Sequence, residues 1–101
     1  MRSGDIEAVV ELYTREAAVV SFRATARGHE QIRALTTRSL VEHGHYDVKS
    51  IDQILVADDV VCWESTVDTD DGLLLTSHVA ILDGEGRITH HVPGIRGYWG
   101  M

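Results

Sequence analysis

Apolar residues fall at Ile6, Val9, Val10 and Tyr13, the i, i+3, i+4, i+7 spacing of one helix face. The spacing predicts a helix over Asp5 to Thr14, with the Asp5 carboxylate placed to accept from the free amides of its first turn. Ala17 to Phe22 is short, apolar and β-branched at Val19 and Val20, and predicts a strand. Gly28 precedes a second helix over His29 to His43, with Ile32, Leu35 and Leu40 along one side. Glu30 lies in its first turn, where negative charge suits the helix dipole, and Gly44 is placed to cap its end.

Beyond Gly44 the period changes from helix to strand. Strands are predicted over Tyr46 to Val56, Val60 to Asp68, Leu73 to Leu82 and Arg87 to Val92. Turn chemistry separates them: Ala57-Asp58-Asp59, Asp70-Asp71-Gly72 and Asp83-Gly84-Glu85-Gly86. Such short connections imply an antiparallel meander. Pro93 and Gly94 are expected to end the last strand, and Ile95 to Met101 carries no usable periodicity. The order is helix, strand, helix, then four strands, with both helices packed on one face of the sheet. The third meander strand is apolar on both sides: Leu73, Leu75, Val79 and Ile81 face one way, Leu74, Ala80 and Leu82 the other. One side meets the helices; the other needs a partner or remains an exposed patch.

The length of 101 residues fits a single domain over 1–101, with 44% apolar and 25% charged residues. A net charge of −7 and scattered basic residues argue against nucleic acid and anionic membranes as partners. No apolar run approaches the roughly 20 residues of a membrane span, and the N-terminus lacks the apolar centre of a signal peptide, so a cytoplasmic protein is expected. The single Cys62 excludes an internal disulfide, and no cofactor motif is read.

The stretch Gly4 to Tyr13 followed by Glu16-Ala17-Ala18-Val19-Val20 resembles the helix-to-strand opening of SnoaL-like proteins. These belong to the superfamily of nuclear transport factor two, ketosteroid isomerase and limonene epoxide hydrolase. Gly28-His29-Glu30-Gln31-Ile32-Arg33 is similar to the family's glycine-led second helix, and Asp83 to Ile88 to its final hairpin. The resemblance covers roughly residues 4 to 92 and rests on order and spacing. It implies an α+β fold, a curved antiparallel sheet forming a half-cone against N-terminal helices, with a pocket inside and a convex face used for homodimers. Family members usually carry a further helical segment before the Gly-Asp pair. The expectation is therefore either a pocket without that cover or a shortened N-terminus.

The resemblance places neither known catalytic set on this chain. The isomerase base position falls on Ser21 and its acid partner on His78, while the tyrosine donor lies in the segment before Gly4. The epoxide-hydrolase Asp-Arg-Asp positions fall near Ser65, Val67 and Pro93. Alternation puts Leu74, Thr76, His78, Ala80 and Leu82 inward on one strand and Trp63, Ser65 and Val67 inward on its neighbour. The same family alignment adds His91 and sets Ser21 at the rim. Such a cup suits a small, largely apolar ligand with one or two polar groups. His78 is the candidate acid/base, because an imidazole titrates near neutrality. Trp63, Ser65, Val67, His91 and Ser21 are candidate ligand contacts.

No metal site is expected. His90 and His91 are adjacent on a strand and face opposite ways, and His43-Gly44-His45 flanks a helix cap. Asp68, Asp70 and Asp71 lack the spacing of a calcium loop. Two functions follow: a ligand-binding domain without assigned chemistry, and an isomerase- or cyclase-type enzyme using His78. A non-catalytic dimerisation module is the third possibility.

Overall fold

The computed structural model describes residues 5–22, 24–44 and 46–99. Its elements are α1 (Asp5–Val10), β1 (Tyr13–Val20), β2 (Thr25–Arg27), α2 (Gly28–His43), β3 (Tyr46–Ala57), β4 (Val60–Thr69), β5 (Gly72–Leu82) and β6 (Ile88–Trp99). The six strands form one curved, unclosed sheet in the order β2-β1-β6-β5-β4-β3, and the class is α+β. The meander from β3 to β6 is antiparallel throughout. The ladder between β1 and β6 is parallel, pairing Ala18 with His90 and Val19 with His91.

The first helix is shorter than its periodicity predicts. It ends at Val10, and Tyr13 opens β1. The amide of Ile88 reaches the carbonyl of Leu12 at 2.8 Å, so β6 draws the chain out of the helix there. Tyr13 is still buried with Ile6 and Val10 in one core, which is why an apolar residue at that spacing satisfies both readings. The first strand correspondingly runs from Tyr13 to Val20 instead of Ala17 to Phe22, and Phe22 is fully exposed. The pattern assigns no strand to Thr25–Arg27, yet this segment folds back along Ala18 to Val20.

The last strand does not stop at Pro93. β6 continues to Trp99, with Ile95, Gly97 and Trp99 paired against Thr76, Leu75 and Leu73. Its ladder with β1 ends at His91, so beyond that point one side of β6 has no strand beside it among the described residues. A residue lacking an N–H fits such a free edge, as proline does on edge strands.

The core lies between α1, α2, β1 and β2, built from Ile6, Val10, Tyr13, Ala17, Val19, Ala26 and Ile32. Arg33 on α2 donates to both carboxylate oxygens of Glu7 on α1, at 2.6 and 2.8 Å, fixing the two helices together. His29 Nε2 donates to the Tyr13 carbonyl at 2.8 Å, tying the first turn of α2 to β1. Gly28, the first residue of α2, and Gly44, just past its end, have φ of 81° and 75°, a region that glycine enters without a Cβ penalty. Farther out the helices no longer cover the sheet, and β3 is exposed along nearly its whole length.

Candidate functional site

The register of the meander decides which side chains share the concave face. Trp63 on β4 pairs with His78 on β5, which pairs with Pro93 on β6. One step along the same face, Ala80 pairs with His91. The two imidazoles are thus diagonal neighbours on adjacent strands, close enough for ring contact. Their nitrogens meet: His78 Nδ1 lies 2.8 Å from His91 Nε2.

This contact is the middle of a longer chain of hydrogen bonds. His91 Nδ1 lies 2.7 Å from the Tyr13 hydroxyl, brought alongside by the parallel β1–β6 ladder. His78 Nε2 lies 3.0 Å from Thr76 Oγ1, which lies 2.6 Å from Ser65 Oγ. Five side chains from β1, β6, β5 and β4 are therefore joined without a break: Tyr13, His91, His78, Thr76 and Ser65. Trp63 stacks on His78 at 4.6 Å between centroids and 9° between planes, covering that ring from the β4 side. It also stacks on His91 at 5.6 Å.

The network carries no net charge at neutral pH. Burial pushes the His78 pKa down to about 4, since it removes water from the cationic form. Burial, and then repulsion from His78, pushes His91 down to about 4. Burial raises Tyr13 to about 12, so its hydroxyl keeps its proton.

A cavity of about 720 Å³ opens between this network and α2. Tyr13, Thr76, His78 and His91 are its polar wall on the sheet side, and Val9, Val19, Ile32, Leu35, Leu40 and Leu74 are apolar lining. The charged residues of the wall, among those described, are Arg38 and Glu42, both exposed. Ser21 reaches the rim. Its hydroxyl donates to the Ala24 carbonyl at 2.9 Å and accepts from the Ala24 amide, closing the hairpin between β1 and β2. Trp63, Ser65 and Val67 share the face of the histidines but stand outside this wall. Ser65 and Val67 are 3% and 1% exposed, packed within the sheet.

The structure thus brings Trp63, Ser65, His78 and His91 into one cluster, with Val67 farther along β4 and Ser21 across the cavity. It adds two residues with functional position. Thr76, expected to face inward, links His78 to Ser65. Tyr13, expected to be helical core, ends the network. A buried tyrosine needs a partner for its hydroxyl, and that requirement was the available signal. His90 lies on the outer face, opposite Ile81 and beside Thr89. Among the described residues no group of three or more His, Cys, Asp or Glu could hold a metal ion, and no helix is long and apolar enough to cross a membrane.

A smaller depression of about 220 Å³ involves Gln53, Leu55, Cys62, Ser77 and Val79 of the outer face, with Trp63 and His78 also touching it. Gln53, Glu64 and Ser77 give it polar groups, but it is less than a third of the volume of the larger cavity, which is therefore the candidate site.

The sequence matches no protein-family model and no curated protein. Its structure resembles many solved ones. A ketosteroid-isomerase-like protein from Catenulispora acidiphila, solved in complex with trimethylamine, superposes with TM-score 0.77 at 20% identity, over 89% of this chain and 74% of that one. An NTF-2-like protein of unknown function from Burkholderia xenovorans gives 0.76 at 14% identity, over 98% and 76%. A SnoaL-like protein of unknown function from Burkholderia thailandensis gives 0.69 at 18% identity, over 94% and 84%. The helix-led curved sheet, its strand order and these superpositions agree that the chain has the cone-shaped fold of the SnoaL-like, NTF2-like and ketosteroid-isomerase-like proteins.

Proposed function

We propose that the protein is a small-molecule-binding domain whose cavity takes a largely apolar ligand carrying one or two neutral oxygen groups. The observation that carries this reading is the uncharged network of Tyr13, His91, His78 and Thr76 set into an apolar wall. Few, fixed polar groups among apolar ones orient a ligand, and the apolar area supplies most of its affinity. An isomerase- or cyclase-type enzyme with His78 as acid/base is the second reading. It has the same cavity in its favour. Against it, both ring nitrogens of His78 are already engaged within the protein, leaving no lone pair aimed at a ligand.

The test is a titration of small apolar ketones and alcohols, with matched hydrocarbons as controls, followed by thermal unfolding. A ligand at ten times its Kd stabilises by about 1.4 kcal/mol, which raises Tm by roughly 5–10 °C in a domain of about 100 residues. Ile95→Trp, which fills the cavity wall, is expected to abolish the rise. If no compound raises Tm at millimolar concentration, or if Ile95→Trp binds equally well, the reading is wrong.

The outer sheet face supports a homodimer. Leu55, Cys62, Val79 and Val92 lie in register across four strands, and Leu55, Val79 and Val92 are 61%, 39% and 49% exposed. Pairing two such faces would bury an area in the usual range of about 1,200–2,000 Å². Light scattering at micromolar concentration is expected to give a dimer, and Val79→Lys a monomer, because a lysine placed in the interface has no partner charge. A parent protein that scatters only as 11.2 kDa refutes the dimer.

A further inference from the structure

We propose that the chain from Tyr13 through His91 and His78 to Thr76 is a two-state hydrogen-bond wire that lets Tyr13 meet a cavity ligand as either donor or acceptor. The ligand half of this inference rests on the binding reading above; the wire itself does not.

A neutral imidazole has one N–H and one lone pair. His91 and His78 are both neutral at pH 7 and each uses both nitrogens in the network. Across the 2.8 Å contact between His91 Nε2 and His78 Nδ1, one nitrogen must carry hydrogen and the other a lone pair. Two hydrogens would collide there, and two lone pairs would repel. Only two arrangements satisfy every side-chain bond from Tyr13 to the Ser65 hydroxyl.

In the first, the Tyr13 hydroxyl donates to His91 Nδ1, His91 Nε2–H donates to His78 Nδ1, and His78 Nε2–H donates to Thr76 Oγ1. The Thr76 hydrogen then goes to Ser65, whose carbonyl is 3.4 Å away and whose hydroxyl is nearer. In the second, every arrow reverses. Ser65 donates to Thr76, Thr76 to His78 Nε2, His78 Nδ1–H to His91 Nε2, and His91 Nδ1–H to the Tyr13 oxygen. Both rings are Nε2–H in the first state and both are Nδ1–H in the second. Their tautomers are therefore locked together.

The ends differ in what they offer the cavity, which both Tyr13 and Thr76 line. In the first state Tyr13 has spent its hydrogen inside the protein and can accept from a ligand hydroxyl. In the second its hydrogen is free to donate to a ligand carbonyl. Reversal takes up one proton at Tyr13 and releases one at Thr76, exchanged with a hydroxyl of water or ligand in the cavity. The charge of the protein is unchanged. A site of this kind accepts a ketone and its alcohol alike, where a fixed donor would discriminate between them because a mismatched buried polar group goes unpaired.

Long-range proton–nitrogen NMR of the imidazoles in the full chain at pH 7, without ligand, tests the wire. Expected is the same tautomer, or the same tautomer mixture, at His78 and His91. Thr76→Val removes the acceptor of His78 Nε2–H and is expected to drive both rings toward Nδ1–H. Tyr13→Phe removes the acceptor of His91 Nδ1–H and is expected to drive both toward Nε2–H. Amide spectra confirm that these near-isosteric variants are folded. Opposite tautomers in the parent protein, or a variant that shifts one ring alone, overturn the wire.

The ligand half is read with 1-indanone and 1-indanol. The parent protein is expected to bind the two within about threefold of each other, the ketone raising the Nδ1–H population and the alcohol the Nε2–H population. Thr76→Val is expected to prefer the ketone by tenfold or more. Binding of both without a tautomer change refutes the donor–acceptor exchange and leaves the binding reading intact. Binding of neither refutes the binding reading and the ligand half with it, while the tautomer measurement still decides the wire.

Discussion

Acid should destabilise this protein through its concave face before its carboxylates titrate. His78 and His91 each have a folded pKa near 4, against 6.5 in an open chain. Between those values the unfolded state binds protons that the folded state refuses, so stability is complete above about pH 6.5 and falls as the pH drops toward 4. A tenfold difference in proton affinity between the two states is worth about 1.36 kcal/mol, which gives about 3.4 kcal/mol per ring in a dry site. Neither ring is fully enclosed, and partial access to water roughly halves that figure. The expected loss is then on the order of 3 kcal/mol for the pair. Tyr13, the other titratable side chain bonded to His91 besides His78, stays neutral throughout this window, with its pKa raised to about 12. Glu7, Asp52 and Asp83 have lowered pKa values, so their contributions are lost only below the ordinary carboxylate range. Urea unfolding at pH 7.5, 6.5, 5.5 and 4.5 measures the effect, with a His78→Gln/His91→Gln double variant as reference. A parent stability that is flat from pH 6.5 to 4.5, or imidazole resonances titrating near 6.5 in the folded protein, would refute the reasoning.

Two further substitutions probe the frame that holds the site. Ile32 is 1% exposed and packs α2 onto β1, so Ile32→Ala is expected to cost about 2–5 kcal/mol in urea unfolding; a loss under 1 kcal/mol would mean that this core collapses around the gap. Gly28→Ala is expected to cost about 1–2 kcal/mol from backbone strain at φ 81°. The nearest atom to an added Cβ is the Arg15 carbonyl oxygen at 3.5 Å, an ordinary contact, so a loss well above that range would point to steric crowding instead.

The meander was legible because each strand is bracketed by Asp-rich or Gly-containing turns and because period-2 alternation assigns faces locally. The facing of Leu74, Thr76 and Ala80, all buried, against Val79 and Ile81, both exposed, needs no long-range information. What could not be read is what depends on distant partners. Tyr13 carries a helical spacing, and only contact with Ile88 reveals it as the first residue of a strand. Pro93 looks like a terminator until the strand order shows a free edge beside it. The site followed the same division. His78 and His91 came from the family alignment and Trp63 and Ser65 from alternation in phase with His78, whereas Tyr13 entered through the parallel ladder, which no local pattern announces.

That ladder also has a kinetic meaning. Tyr13 and His91 are separated by 78 positions in the chain, while Ser65 and Thr76 are separated by 11. Closing the longer loop costs roughly 1.7 kcal/mol more chain entropy, by the logarithmic dependence on loop length. Hairpins of the meander can zip from their turns, and once zipped they shorten the path between the two ends of the chain. The parallel ladder is therefore expected to form late, after the hairpins have brought β6 within reach of β1. Tyr13 would be the last member to join its partners, making an ordered Tyr13 hydroxyl a marker of completed folding rather than of early collapse.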